Sequence, residues 1–310
     1  MDDTQRKHEI AARRLRGREA AEKYVQAKLL PALGLESSRI QIDMPSDGLR
    51  SLTYFVTIEP GERLVLRCVA SRDDTTWLAH AFELFRKHQL PAPRLVHFDS
   101  SLLTRWRWGW SAFTEQFIVG QPASARLSRA QLASMGRAYA EVHQVTSARW
   151  GKPHRPRTGD MIAEWVRWAQ ELRMEASGSM PPDLGSRLER LAREIQNGRP
   201  PTPDHWELCH NRVTPTNVLI SPRTECFLID LERVKYGLAL SELASIEADV
   251  LSDDTQAFEH FLEGYSTRRS PPDPGDRTWV WHRRLVRLKR VRDAALREDL
   301  AAVRKELERT

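Results

Sequence analysis

Two neighbouring segments in the first quarter of the chain carry the apolar pattern of β-strands. Apolar side chains occupy every second position of residues 52–58, and a second strand-forming run covers residues 63–69. The Glu-Pro-Gly-Glu sequence between them, at positions 59–62, is typical of a turn. The pattern therefore predicts an antiparallel β-hairpin.

The next segment changes to the spacing of an amphipathic helix. Apolar residues at positions 78, 81, 82 and 85 fall on one helical face, and Asp73 and Asp74 precede them as capping groups. Pro91 ends the pattern, because proline cannot continue a helix. We therefore expect one helix between the hairpin and Pro91.

Two more strands are predicted around a tryptophan-rich segment. Residues 94–98 and 112–119 have strand character. Trp106, Trp108 and Trp110 alternate between them like one face of a strand. This favours packing of the indole rings in the core or between lobes over a surface for stacking nucleic-acid bases.

Beyond Gly120 the chain turns mainly helical. Ser128 and Gln131 have the spacing of a capping box at the start of a helix. Further helices are predicted at 158–177, 183–196 and 281–309, with two short strands at 217–220 and 226–229.

The sheet-forming and helical segments are segregated along the chain, which predicts an α+β fold. We expect an N-terminal helical extension over residues 1–35, a small antiparallel-sheet lobe over 36–118, and a mainly helical lobe over 119–310. The extension shows no strong apolar stripe, so its helix is predicted to be a solvated extension that packs on one side. The connection between the lobes is expected at residues 116–120.

Composition limits the cellular compartments and the classes of partner that are expected, but it does not indicate an activity. Lys and Arg number 48 against 42 Asp and Glu, and the formal charge of +6 favours anionic partners only mildly. The three cysteines form no disulfide or zinc pattern, and no run of 18 apolar residues occurs. We therefore expect a cytoplasmic protein without a membrane partner.

A polar segment leading into the two short strands carries candidate chemistry. Kinase-type phosphoryl transfer uses the spacing His-x-Asp-x-x-x-x-Asn, in which the Asp orients the acceptor hydroxyl and the Asn holds a metal; a later Asp binds magnesium. His210 and Asn217 keep this spacing, and Asp230 follows the next strand, but position 212 is arginine. Asn217 and Asp230 could also cap turns, although their joint spacing favours metal binding. His210 is expected to be a structural hydrogen-bonding residue.

The residues around this segment resemble the aminoglycoside and choline phosphotransferases, which have the protein kinase-like fold. The resemblance rests on residues 208–211, 217–220, 229–232 and 236–237, and it extends over about 46–265. It implies a bilobal protein that binds ATP and Mg²⁺ in the cleft between its lobes and phosphorylates a small molecule.

The resemblance also implies roles for individual residues. Arg67, on the second hairpin strand, and Gly48, in the preceding loop, would contact the nucleotide phosphates. Asn217 and Asp230 would be the metal ligands. Arg212 stands where the family has its catalytic aspartate.

Three departures from the family pattern bear on mechanism. Arg212 stays protonated and cannot accept a proton, and general-base assistance is typically worth roughly 10²–10⁴-fold in rate. The helix after Arg67 offers no glutamate at the expected register, since Glu83 comes one turn late. The loop around Gly48 keeps a single glycine, so close backbone approach to phosphates is less assured.

Two main hypotheses follow. In the first, the chain is a pseudokinase whose Arg212 pairs with Asp230, Glu232 or a bound phosphate, and its partners are a nucleotide and an unidentified small molecule or protein. In the second, it is an active ATP-dependent small-molecule kinase in which Glu232 or water replaces the missing base. Glu232 can equally be a surface ion-pair residue. Nucleic-acid binding by the basic terminal helices ranks last, because no recognition motif is present.

Overall fold

The structure is a computed structural model that describes residues 17–44, 52–178 and 180–308. The chain forms two compact units, the first ending at Val119 and the second beginning at Gly120. Among the described residues, no helix is long and apolar enough to cross a membrane.

A five-stranded antiparallel sheet forms the centre of the first unit, in the order β1, β2, β3, β5, β4. The strands are β1 (Ile40–Asp43), β2 (Leu52–Ile58), β3 (Glu62–Val69), β4 (Leu95–Asp99) and β5 (Ser111–Gln116). The predicted hairpin is confirmed, because β2 and β3 pair from Leu52 opposite Cys68 to Ile58 opposite Glu62.

Helix α2 (Arg72–Lys87) follows β3, as the apolar spacing predicts. Its capping residue is Ser71, whose side-chain oxygen accepts a hydrogen bond from the Asp74 backbone N–H at 3.2 Å. Asp73 and Asp74 lie in the first turn instead, where negative charge favours the positive end of the helix dipole. The expected apolar face is buried and consists of Leu78, Ala81, Phe82 and Phe85.

The N-terminal helix packs on one side, as expected, and its buried side joins the core of the first unit. Helix α1 covers the described residues 17–33 and contains a π-helical turn at Val25–Leu29. Tyr24 and Leu29 are fully buried and belong to the same core cluster as Tyr54 of β2.

Trp106 and Trp108 lie in a helix and Trp110 follows it, so the prediction of a strand face is wrong. Helix α3 (Leu102–Trp108) begins at Ser101, whose side chain accepts from the Thr104 N–H. Trp106 is 84% exposed, whereas the rings of Trp108 and Trp110 make edge contacts with Tyr24. Residues two apart lie roughly 200° apart around a helix, which places Trp106 and Trp108 in different environments.

Helices make up most of the second unit. They are α4 (Arg129–His143), α5 (Met161–Ser177), α6 (Pro182–Asn197), α7 (Ala239–Ser245), α8 (Thr255–Ser266), α9 (Arg277–Ala295) and α10 (Leu300–Glu308), and a π-helical turn (Ile246–Val250) extends α7. The capping box of Ser128 and Gln131 is confirmed at the start of α4. The predicted single C-terminal helix is interrupted between α9 and α10, where Glu298 has a φ of 60°.

Two small antiparallel sheets position the loops of the second unit, in the orders β7, β10, β13, β8, β9 and β12, β11, β6. Their strands are β6 (Gln121–Pro122), β7 (Thr146–Ser147), β8 (Trp150–Lys152), β9 (Arg155–Arg157), β10 (Trp206–Cys209), β11 (Val218–Ile220), β12 (Cys226–Leu228) and β13 (Lys235–Gly237). The predicted pair of short strands is confirmed, since β11 and β12 pair with Val218 opposite Leu228.

A buried carboxylate fixes the backbone that follows β10. Glu242 on α7 is 4% exposed, and it accepts hydrogen bonds from the backbone N–H groups of His210 (3.1 Å) and Asn211 (2.5 Å). Nε2 of His143, at the end of α4, lies 2.9 Å from the same carboxylate, and its Nδ1 lies 3.0 Å from the Tyr265 hydroxyl. Burial disfavours the charged form, but the hydrogen bond with His143 and the other nearby donors outweigh it and lower the pKa of Glu242.

Helices α4 and α8 approach each other at two glycines. A Cβ atom at Gly136 would overlap the carbonyl oxygen of Phe261, and one at Gly264 would overlap the carbonyl oxygen of Ala133. Backbone atoms at a packed helix crossing move little, so neither position admits a side chain without separating the helices.

We expect Gly264→Ala to lower the free energy of unfolding by at least about 2 kcal/mol, because the new methyl group overpacks this crossing. Gly185→Ala is the matched control: it lies inside α6, and a Cβ atom there would have no neighbour within 4 Å. It should raise the stability by about 0.5–1 kcal/mol through helix propensity. Urea denaturation of both variants measures the difference, and equal effects would contradict the described crossing.

We expect Glu242→Gln to cost about 3 kcal/mol at neutral pH, because the amide turns N–H donors towards backbone N–H groups. Because the pKa of Glu242 is lower in the folded protein than its ordinary value of 4.5, the ionised carboxylate stabilises the fold at pH values above 4.5. The advantage of the wild type should therefore shrink as the pH falls below that value. Denaturation between neutral and acid pH tests this, with exposed Glu259→Gln as control; a difference that does not change with pH would refute it.

Candidate functional site

Strands β11 and β12 bring the two halves of the candidate motif together. Asn217 lies directly before β11, in the 3₁₀ turn Pro215–Asn217, and Asp230 comes two residues after β12. The backbone N–H of Ile229 donates to the Asn217 carbonyl at 2.9 Å, so the segments stay paired beyond the strands. Asn217 and Asp230 are therefore neighbours in the fold.

His210 has the structural role that its place in the motif predicts. Its side chain is fully buried, and Nε2 donates to the Ile229 carbonyl at 2.7 Å. Burial lowers the pKa of His210, so its imidazole is neutral at physiological pH. The contact ties the start of the loop to the segment that carries Asp230.

The residue after His210 adopts a backbone conformation that favours glycine or asparagine. Asn211 has a φ of 59°, in the left-handed region. Its N–H group points at the carboxylate of Glu242, which holds the turn. The sequence analysis did not identify Glu242. The feature that could have revealed it is a single acidic residue among the mostly apolar residues at the start of α7.

Arg212 forms an ion pair at the centre of the loop. Its Nη1 atom lies 2.5 Å from Oδ2 of Asp230 and 3.4 Å from Oε2 of Glu232. The expected pairing of Arg212 with these carboxylates is thus confirmed. A guanidinium at this position can only donate hydrogen bonds, and here it neutralises charge that would otherwise attract a cation.

The oxygen donors of this cluster fit a magnesium ion in their chemistry. The Asn217 side chain donates through Nδ2 to the Arg212 carbonyl at 3.0 Å, which leaves its amide oxygen as the metal-binding atom. Asp230 and Glu232 add carboxylate oxygens, the hard donors that Mg²⁺ prefers. Arg212 contacts both carboxylates, so a metal and the arginine would compete for them. The assignment of Asn217 and Asp230 as metal ligands stays a prediction.

The first unit holds the residues predicted to contact phosphate. Arg67 on β3 is buried and its Nε lies 2.5 Å from Oε1 of Glu115 on β5. The acidic partner that the sequence failed to show on α2 is thus supplied by the neighbouring strand, while Glu83 pairs with Arg86 at 2.7 Å. Gly48 lies outside the described residues. Phosphate contact by Arg67 stays a prediction.

A cavity of about 550 Å³ opens beside the loop within the second unit. Asn211, Arg212 and Thr214 line it on the loop side, and Trp165 and Trp168 of α5 form an aromatic wall. A volume of this size is typical of sites for small molecules.

The comparison with known proteins identifies the family. Residues 43–284 match the profile of the Phosphotransferase enzyme family. A comparison with curated proteins finds no match.

Solved structures show the same fold at low sequence identity. A putative aminoglycoside phosphotransferase from Ralstonia eutropha JMP134 has a TM-score of 0.64 and 14% identity, over 93% of this chain and 95% of that one. Aminoglycoside phosphotransferase APH(4)-Ia has a TM-score of 0.62 and 15% identity, over 94% and 96%. Choline kinase LicA from Streptococcus pneumoniae has a TM-score of 0.60 and 12% identity, over 93% and 98%. The profile match spans more than half of the chain, so the chain belongs to the phosphotransferase enzyme family and has its kinase-like α+β fold.

Proposed function

We propose that this protein binds ATP and Mg²⁺ weakly and acts as a pseudokinase, with phosphoryl transfer impaired or lost. The observation that carries the proposal is the 2.5 Å ion pair between Arg212 and Asp230. If Arg212 stands at the position of the family's catalytic base, as the motif implies, a permanent cation replaces that base and pairs with the carboxylate that would hold the metal.

Two separate losses follow from this one residue. A guanidinium cannot take the proton of an acceptor hydroxyl, and that assistance is typically worth roughly 10²–10⁴-fold. The pairing of Arg212 with Asp230 also reduces the negative charge available to Mg²⁺. Bound Mg²⁺ would supply positive charge against the nucleotide phosphates, so a weakened metal site would lower both nucleotide affinity and phosphoryl transfer.

Nucleotide binding is supported by what related structures contain. A mutant of aminoglycoside phosphotransferase APH(4)-Ia was solved as a ternary complex with ADP and hygromycin B. By analogy, the nucleotide would be contacted by Arg67 and the loop around Gly48, and the cavity beside Arg212 would receive a small-molecule acceptor. A cytoplasmic location suits a protein that uses ATP.

A second candidate function is an active small-molecule kinase with a substituted base. Glu232 favours it, because its Oε2 lies 3.4 Å from Arg212 Nη1 and therefore beside the position of the missing aspartate. Arg212 would then stabilise the transferred phosphoryl group, and Glu232 would take the proton from the hydroxyl group of the acceptor molecule.

The competition between Arg212 and Mg²⁺ can be measured by calorimetric titration with ATP, with and without Mg²⁺. We expect Mg²⁺ to change the ATP affinity of the wild type less than about threefold, and to raise that of Arg212→Gln at least about tenfold, since freed carboxylates attract the metal. Arg223→Gln, which removes an exposed arginine from the turn between β11 and β12, should behave like the wild type. Equal Mg²⁺ dependence in all three proteins would refute the competition, and failure of every protein to bind ATP would refute the nucleotide site.

Restoring the aspartate tests whether catalysis was lost at one residue. Across sugar, aminoglycoside and amino-alcohol acceptors, we expect ATP turnover by Arg212→Asp to exceed that of the wild type by roughly 10²-fold or more. Arg223→Asp, which makes the same charge change on the surface, should have no effect. Robust wild-type turnover that Arg212→Asp reduces and Glu232→Gln abolishes would instead establish the active kinase.

A further inference from the structure

The cavity beside the loop is lined by charged groups of both signs, and their pairing decides what it can attract. Three carboxylates and three cations belong to the lining: Glu164, Glu242, Asp249, Arg212, Lys235 and Lys289. A charged side chain in the lining that has no oppositely charged partner favours a ligand that carries the opposite charge.

The three carboxylates already have partners. Glu164 lies 3.7 Å from Nη1 of Arg157, and Asp249 lies 4.0 Å from Nζ of Lys289. Glu242 is occupied by backbone N–H groups and His143. A cationic ligand would therefore have to displace existing contacts to reach a carboxylate.

Lys235 is the exception among the cations. Arg212 is paired with Asp230, and Lys289 lies near Asp249. Within the part of the chain that the structure describes, by contrast, no carboxylate or carbonyl oxygen lies within hydrogen-bonding or ion-pairing distance of the Lys235 ammonium. A charge-assisted hydrogen bond to an anionic ligand group would give this ammonium a partner that the described protein does not supply.

The position of Lys235 is fixed by the sheet. It lies on β13 opposite Cys209 of β10, and Lys235 and Gly237, two residues apart, both line the cavity. Burial lowers the pKa of Lys235, although Glu242 and Glu164 partly oppose this shift from a distance. A bound anion would remove the cost of burying this charge, whereas a neutral or cationic ligand would not.

We propose that Lys235 makes the cavity selective for hydroxyl compounds that also carry a carboxylate or a phosphate group. The ammonium binds the anionic group, and the aromatic wall of Trp165 and Trp168 packs against the rest of the ligand. The inference rests on the proposed function in one respect, because it takes this cavity as the acceptor site.

Calorimetry in the absence of nucleotide tests the selectivity with four sugars that share the glucose ring but differ in charge. They are glucose, glucosamine, glucuronate and glucose 6-phosphate. We expect the wild type to bind at least one of the two anionic sugars at least about tenfold more tightly than the neutral and cationic ones, because a charge-assisted hydrogen bond is added. The two anions distinguish a carboxylate ligand from a phosphate ligand.

Variants at Lys235 and at an exposed lysine test whether Lys235 causes the preference for anionic sugars. Lys235→Met should abolish the preference, Lys235→Arg should retain it, and Lys305→Met, on the exposed side of α10, should leave it unchanged. Thermal denaturation confirms that each variant is folded. Failure of both anions to bind the wild type at millimolar concentration, or a preference that survives in Lys235→Met, would overturn the proposal.

A separate titration with ATP keeps this proposal distinct from the pseudokinase. We expect Lys235→Met to bind ATP as the wild type does. If it loses ATP affinity while sugar selectivity is unchanged, Lys235 is a nucleotide contact and the proposal is wrong. If the wild type binds no ATP but selects anionic sugars through Lys235, the nucleotide site fails and the anion selectivity stands.

Discussion

The hydrogen bonds accepted by the Glu242 carboxylate are the interaction on which the candidate site depends. This one side chain joins α7 to the backbone at His210 and Asn211 and to His143 at the end of α4. Two adjacent N–H groups that point at one carboxylate require a sharp turn, and the left-handed conformation of Asn211 supplies it. The direction in which Arg212 leaves the loop is therefore set by a residue that lies thirty positions further along the chain.

A loop held in this way can change its chemistry without losing its shape. The supporting contacts of His210 go to Ile229 and to Glu242, and none of them uses the side chain at position 212. Arg212 is about one-third exposed and meets two carboxylates, so its charge is balanced where it stands. An arginine at a position where the family motif has aspartate would therefore change the electrostatics of the loop without disturbing the contacts that hold it.

Local patterns predicted much of the fold correctly. The hairpin, the apolar face of α2, the capping box of α4 and the pairing of β11 with β12 all depend on residues close in sequence. The same locality explains the spacing of His210 and Asn217, which identified the family. Errors arose where a local pattern fits two structures, as with the tryptophans of α3. The missed parts of the site are contacts between residues distant in sequence. Glu115 reaches Arg67 only because β5 pairs with β3, and His143 meets Glu242, 99 residues away, only in the folded core.

The charges around the loop fall into two groups with opposite consequences. In the cluster of Arg212, Asp230 and Glu232 the guanidinium offsets part of the carboxylate charge, and this lowers the attraction that the carboxylates have for a cation. Lys235, on the neighbouring strand β13, has no such compensation among the described residues. Arg212 would therefore weaken the attraction of this cluster for a divalent cation, whereas Lys235 offers a charge that an anionic ligand group can pair with.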